Sequence, residues 1–363
     1  MSNPAPDSDR LKRRIVIGVL SAMALATLDQ TIVAPALPSI GAEFGGSAYL
    51  PWVIAAYLVT STAVTPLYGK IADARGRKPA LFAAIAIFLV GALASAAAQS
   101  LPMLIAGRAV QGLGGGGLIA LAQTVIADVV SPRERGRYVG YISAVWAGSS
   151  VLGPTLGGLL AEYAHWKLIF LLNLPLALLA FALSARALRS LPDRREPRPI
   201  DIAGAALVIG ATALVLMALT WAGRAETSRT LAPAAFVGGL LLAAVLRAHL
   251  RRAADPLIPL RLFANPVVRS GAGCIFFGFG GYLGLSVIVP FYLVSVAGVS
   301  ATQAGMALMA MLVGAVIGAN TAGRTMARLS AYRRIGAFGM GLAVCATAAL
   351  AARAPDAGFL EIE

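Results

Sequence analysis

Charge is the scarcest property of this chain. Of its 363 residues only 13% are Asp, Glu, Lys or Arg, against 58% that are hydrophobic. That ratio leaves too little polar surface to wrap a soluble body of this length. Histidine is nearly missing: His165 and His249 both fall near the ends of apolar runs. Two imidazoles with no acidic cluster beside them do not make a metal centre, so no metal is expected. Cysteine is equally rare, and Cys274 and Cys345 lie inside apolar runs, which argues against a disulfide framework. The runs contain no paired carboxylates, no His cluster and no Ser–His arrangement. That excludes an enzyme built on any recognisable constellation, and no cofactor is expected.

What the chain does contain is a succession of membrane-length apolar segments. Tyr138–Ala161, Ile202–Gly223 and Ala301–Gly323 carry no charge at all, and each can cross about 30 Å of hydrocarbon as a helix. Eleven spans are expected, near residues 15–37, 51–69, 79–98, 101–127, 138–161, 168–185, 202–223, 231–246, 270–299, 301–323 and 335–352. The 39 glycines suit close helix packing in lipid. The reading is therefore an all-α polytopic membrane protein whose first partner is the lipid bilayer.

A net charge of +14 would suggest nucleic acid in a soluble protein. Here the basic residues occupy short loops between spans, so no nucleic acid is expected. Of the 30 Lys and Arg residues, 25 fall in the N-terminal tail and every second loop, 4 fall on the other side, and Arg108 lies within a span. The positive-inside rule then places the N-terminus in the cytoplasm and, with an odd number of spans, the C-terminus outside. Arg10–Arg14 followed by Ile15–Ala26 also has the form of a signal peptide. The apolar pattern runs on through Asp29 to Leu37, which favours an uncleaved first span. A basic, proline-bearing stretch, Arg186–Asp201, reads as a cytoplasmic connection with six spans before it and five after.

Four segments carry more than hydropathy. The loop from Gly69 to Pro79 sets Asp73, Gly76, Arg77 and Lys78 between two spans. Gly69 lets one helix end close to its neighbour, Gly76 permits a tight reversal, and Asp73 can pair with Arg77, as a charged latch would require. Asp128, at another cytoplasmic span end, can pair with Arg77 or Arg137. The fourth span carries Arg108 and Gln111, three residues apart and so on one helix face. An arginine inside a membrane is costly, and its default reading is functional. The glycines from Gly112 to Gly117 also fit a dinucleotide fingerprint, but no strand precedes them and lipid surrounds them. The fifth span carries Gly148, Gly153-Pro154 and Gly157-Gly158, a bent helix with a face open for close packing. The first span holds Asp29, the one carboxylate well inside an apolar run. Burial disfavours an ionised carboxyl and a nearby cation favours it, so a site that gains and loses a proton needs the two balanced.

These segments together resemble the major facilitator superfamily, whose loop between the second and third helices is similar to Gly69–Pro79. The usual Arg after Asp73 is Ala74 here, with Arg75 one place on. The fourth-span segment resembles the motif whose Arg is implicated in proton movement, and Gly153-Pro154 with Gly157-Gly158 resembles the one associated with antiporters. Leu28–Pro38 and Trp166–Pro175 resemble motifs of the fourteen-helix drug/proton antiporter family, although Ala34 and Pro35 replace that family's usual residues. The resemblance implies a major facilitator fold of two six-helix bundles with two helices inserted between them. On that template residues 1–14 are a cytoplasmic tail, 15–188 the first bundle, 189–200 a linker and 201–250 the inserted pair. Residues 251–353 are then three helices of a partial second bundle and 354–363 an extracytoplasmic tail, so the chain is expected to stop before its last three helices.

The function so implied is a monomeric, proton-coupled antiporter of a bacterial inner membrane, exporting a hydrophobic or cationic small molecule by alternating access. Asp29, Arg108 and Gln111 would carry the coupling, and Trp52, Tyr57, Trp146, Phe276, Phe279 and Tyr282 are candidates to line its cavity. An importer of a small metabolite shares the fold, and a non-transporting membrane protein would explain a shortened chain.

Overall fold

A computed structural model describes residues 6–45, 49–130, 135–187, 199–222 and 230–295, then parts of 311–325 and all of 332–353. Every regular element among the described residues is helical. In lipid this follows from elementary chemistry, since a helix satisfies its backbone groups within one segment. The expected tenth span, 301–323, lies largely outside the described residues.

The first helix, α1 (Pro6–Ile32), begins two turns before the apolar run. Residues expected as a tail are thus helical from Pro6, where a proline's missing N–H is harmless. A 3-10 turn at Ala34–Ala36, imposed by Pro35, leads into α2 (Leu37–Phe44). Next come α3 (Trp52–Arg75), α4 (Arg77–Ala96) and α5 (Leu101–Val129), the last capped by the Ser100 hydroxyl accepting from the Met103 amide. The antiporter-like helix is α6 (Arg135–Tyr163). The sixth span is split into α7 (Lys167–Leu171) and α8 (Asn173–Ala187), because Pro175 offers no N–H to the Leu171 carbonyl. The two helices expected as an inserted pair are α9 (Ile202–Ala222) and α10 (Leu231–Arg252). Beyond it lie α11 (Pro266–Ser295) and α12 (Tyr332–Arg353).

The chain divides into two units, Met1–Pro259 and Leu260–Glu363, so the inserted pair belongs to the first. Within that unit α5 is central, with α1, α3 and α4 packed around it, while α6 and α8 lie against α1. Residues 112–117 of α5 are glycine at every place but Leu113. A Cβ on Gly112 would overlap Tyr57 and Thr60, one on Gly114 would meet the backbone of Phe88, and one on Gly116 the Ser61 carbonyl. The glycine run thus lets two helices approach one on both sides. Large apolar side chains such as Leu178, Leu219 and Leu241 face outward, as a lipid-embedded surface requires. Eight helices among the described residues are long and apolar enough to cross a membrane.

Candidate functional site

The densest polar site in the first unit sits where α1, α5 and α8 meet. Asp29, Arg108 and Gln111 have no solvent exposure, and Asn173 has 2%. The Arg108 guanidinium donates to Asp29 Oδ2 at 2.5 Å and to Gln111 Oε1 at 2.7 Å, and its Nε donates to the Val53 carbonyl at 3.1 Å. On the other side of the carboxylate, Gln111 Nε2 and Asn173 Nδ2 donate to Oδ1 at 2.9 and 2.8 Å. The guanidinium lies 4.4 Å from the Tyr57 ring centroid and 5.8 Å from that of Phe170, so aromatic faces cover what the carboxylate does not. Tyr57 donates its own hydroxyl to the Ala26 carbonyl.

Both oxygens of the Asp29 carboxylate are occupied. Two charges buried side by side are tolerable only with such complete pairing. The carboxylate accepts from three donors, two on Oδ1 and one on Oδ2, so a proton on Oδ1 competes with an amide donor, and a proton on either oxygen removes the charge that Arg108 pairs with. The spacing of three between Arg108 and Gln111 puts both on one face of α5, as the sequence predicts, and both reach Asp29 of α1. Asn173 is not a candidate on sequence grounds. Its only signal there is an amide within the apolar segment after Trp166, and the split between α7 and α8 is what aims it inward.

The Gly69–Pro79 loop forms a second site at one end of the bundle. Gly76 adopts φ +98°, left-handed backbone that favours glycine, and reverses the chain between α3 and α4. Arg77 then bridges two carboxylates, bonding Asp73 Oδ1 at 2.6 Å and Asp128 Oδ2 at 3.0 Å. Arg77 pairs with both acids; Arg137, the alternative partner for Asp128, has a side chain outside the described residues. Lys78 lies 5.9 Å from the Phe82 ring centroid and takes no part in the bridge. Gly69 meets no neighbour that a Cβ would touch, so the close approach expected there is not found.

Lys70 in the same loop reaches the segment after α10, pairing with Asp255 at 2.7 Å and donating to the carbonyls of Asp255 and Pro256. Nearby Asp201 caps α9 through the Gly204 amide, meets His249 Nε2 at 2.7 Å and accepts from the Leu257 amide. Burial works against the Asp201 charge, but these partners outweigh it and hold the carboxyl below its usual value. This cluster too is invisible in sequence, since bonded members lie up to 186 residues apart.

The glycines of α6 divide sharply. Gly153 and Gly157 press directly on Thr31 and the Ile32 backbone of α1, whereas Gly148 faces open space and Gly158 only touches Pro35. Thr31 donates to the Ser149 carbonyl at 2.8 Å, one residue before the carbonyl that Pro154 leaves without a partner N–H. Of the aromatic candidates, Trp52 borders a cavity beside α9. Tyr57 is fully buried beneath Arg108 instead of lining open space, and Trp146 is half-buried on α6. In the second unit Phe276 and Phe279 are exposed, and Phe279 stacks with Tyr282. Cys274 and Cys345 are free thiols. No group of His, Cys, Asp and Glu able to hold a metal occurs among the described residues.

Comparison with known proteins agrees with this architecture. A family profile described as Major Facilitator Superfamily matches residues 19–360. An uncharacterized MFS-type transporter of Mycobacterium tuberculosis is 36% identical over 335 residues, 90% of this chain and 47% of the relative. Efflux pump dotC of Dothistroma septosporum is 34% identical over 91% of this chain and 58% of its own length. Multidrug resistance protein 3 of Bacillus subtilis is 32% identical over 85% and 60%. The chain therefore spans about half the length of the curated relatives it matches. In fold it is similar to the proton:xylose symporter XylE, with a TM-score of 0.58 at 16% identity over 88% of this chain and 70% of that one. The human organic anion transporter MFSD10 aligns with a TM-score of 0.53 at 20% identity over 86% and 70%.

Proposed function

The chain belongs to the major facilitator superfamily, a family of multi-pass membrane transporters and not of enzymes, and from that premise we propose that it works in proton-coupled export of hydrophobic or cationic small molecules. The observation that supports this most directly is the closed Asp29–Arg108–Gln111–Asn173 cluster, a buried acid whose ionised form is fully partnered. In this reading protonation of Asp29 releases Arg108, and the freed guanidinium repacks α1 against α5. Substrate then favours the state in which the proton is lost, so the two ligands bias opposite arrangements of the same helices. Inward proton flow supplies about 2.3 kcal/mol per charge per 100 mV. Efflux is supported by the relatives, two of which carry the names efflux pump and multidrug resistance protein.

The Gly153–Pro154 helix supports exchange over uniport. Its tight seam with α1 sits on the turns of α1 next to Asp29 and keeps water from the acid. The bulk of the basic residues lie at the Gly69-loop side, which puts that side and the N-terminus in the cytoplasm. In this reading the protein is a monomer of a bacterial inner membrane.

The test is everted vesicles loaded with a pH dye. Adding a lipophilic cation should dissipate the acid gradient in wild type. Asp29→Asn should abolish that exchange while the protein still inserts. Full exchange in Asp29→Asn would refute the coupling role.

A further inference from the structure

A cavity of about 870 Å³ lies between α3, α5 and α9, on the faces of α3 and α5 turned away from the Asp29 cluster. It falls in the size range of drug-sized ligand sites. Its walls are mostly apolar, and Ala56, Ala106, Ala109 and Ala213 make the room, since longer side chains at these places would close the gap. Two indole hydrogen bonds hold α9 in place over it. Trp52 Nε1 donates to Thr220 Oγ1 at 3.0 Å, and Trp221 Nε1 donates to the Tyr49 hydroxyl at 3.2 Å. These bonds fix α9 at one end of α3 and leave the space beside Ala56 and Ala213 unfilled.

The chemistry of the lining is one-sided. Among the described lining residues Glu43 is the only charged one, and Phe44, Tyr49 and Trp52 line the cavity with it. Its Oε2 accepts from Trp166 Nε1 at 2.5 Å, while Oε1 is only 3.5 Å from the Lys167 ammonium, and His165 is 3.6 Å from Oε2. Those three partners stand outside the lining. The carboxylate thus combines a short bond from an indole with a long, partly exposed ion pair, and its residue borders the cavity. Apolar walls, aromatic faces and a carboxylate whose nearest ammonium stands 3.5 Å away are what recognise an organic cation.

We propose that this cavity is a second binding site, separate from the Asp29 cluster, for lipophilic amines or phosphonium-like cations, with the charge at Glu43 and the apolar body between α5 and α9. The reading of the chain as an exporter suggests the ligand class, but binding here requires no transport. Thr60 borders the cavity and donates to the Ala109 carbonyl at 2.8 Å, while Val53 on the same helix accepts from Arg108. An anionic lipid headgroup fits it poorly, because the lining offers no cation.

The experiment uses the full chain in phosphatidylcholine nanodiscs and tritiated tetraphenylphosphonium, with triphenylphosphine oxide as a neutral counterpart. Ala213→Trp should weaken tetraphenylphosphonium at least tenfold. Glu43→Gln should weaken it severalfold and leave the neutral compound within twofold. An azido-phosphonium photoprobe on unaltered protein should label peptides from 101–129 and 202–222, which tests the site without any variant. Binding retained in Ala213→Trp and lost in Asp29→Asn would place the probe at the coupling cluster and overturn the proposal. Labelling displaced by phosphatidylethanolamine but not by tetraphenylphosphonium would overturn it too, marking a lipid seat. Loss of proton exchange with labelling intact would refute the exporter reading alone.

Discussion

Removing Arg108 from its pocket is the most informative perturbation of this protein. Its guanidinium is buried with the Asp29 carboxylate, their side chains 1% and 0% exposed. It makes three directional bonds, to Asp29, Gln111 and the Val53 carbonyl. Arg108→Leu leaves a carboxylate in a dry interior with two amide donors and no counter-charge. Breaking a buried pair from one side costs about 3–5 kcal/mol, because the remaining charge is uncompensated. Asp29→Asn in the Arg108→Leu background removes that charge, so the double variant should recover most of the loss. The assay is reversible unfolding in mixed micelles by SDS titration, followed through tryptophan fluorescence, on wild type, both single variants and the double. A positive coupling of at least about 2 kcal/mol is expected from the cycle. Additive single effects, or a cost below about 1 kcal/mol for Arg108→Leu, would refute the claim that the two charges neutralise each other.

Other consequences are as sharp. Gly153→Val should destabilise α6 against α1 by about 1–3 kcal/mol through overpacking, while Gly148→Ala, facing open space, should be neutral in the same titration. Asn173→Ala should strip one donor from Asp29 and shift the pH profile of dye-driven proton exchange with little change in expression; an unshifted profile would remove Asn173 from the cluster's function. Asp73→Asn and Asp128→Asn should each change stability by less than about 1 kcal/mol, being partly exposed pairs, yet alter cross-linking rates between helix ends if the bridge is a conformational latch. Asp201, held below its usual value of 3.8, stabilises the fold only while ionised. A depressed folded-state value means the contribution is complete above 3.8 and fades as pH falls through the lower value. Amide exchange at Leu257 should therefore show unchanged protection from neutrality down to about pH 5 and lose it below 3.8; protection lost already near pH 6 would contradict the assignment.

The helices are legible in the sequence because lipid imposes one length and one backbone solution, so apolar runs such as Ile202–Gly223 map directly onto α9. Arg108 and Gln111 are legible for the same reason: polar atoms in hydrocarbon need partners, and their spacing puts them on one face. The partner itself is harder to read. Asp29 and Arg108 are 79 residues apart, and no local pattern states that α1 and α5 touch. Asn173 depends on a break within a span, which hydropathy averages away. The glycines show the limit most clearly. Gly148 and Gly153 look equivalent in sequence, but only Gly153 meets α1, because which face of a uniformly apolar helix turns inward is decided by neighbours. Tyr57 looks in sequence like a cavity wall, whereas its ring serves as a floor for a cation.

The Lys70 and Asp201 contacts bear on movement as much as on stability. With the carbonyls of Asp255 and Pro256 and the amide of Leu257 all tied to the first unit, backbone freedom on the way to Leu260 is confined to a two-residue stretch. Lys70 and Asp201 together therefore anchor the chain as far as Leu257 before it leaves the first unit.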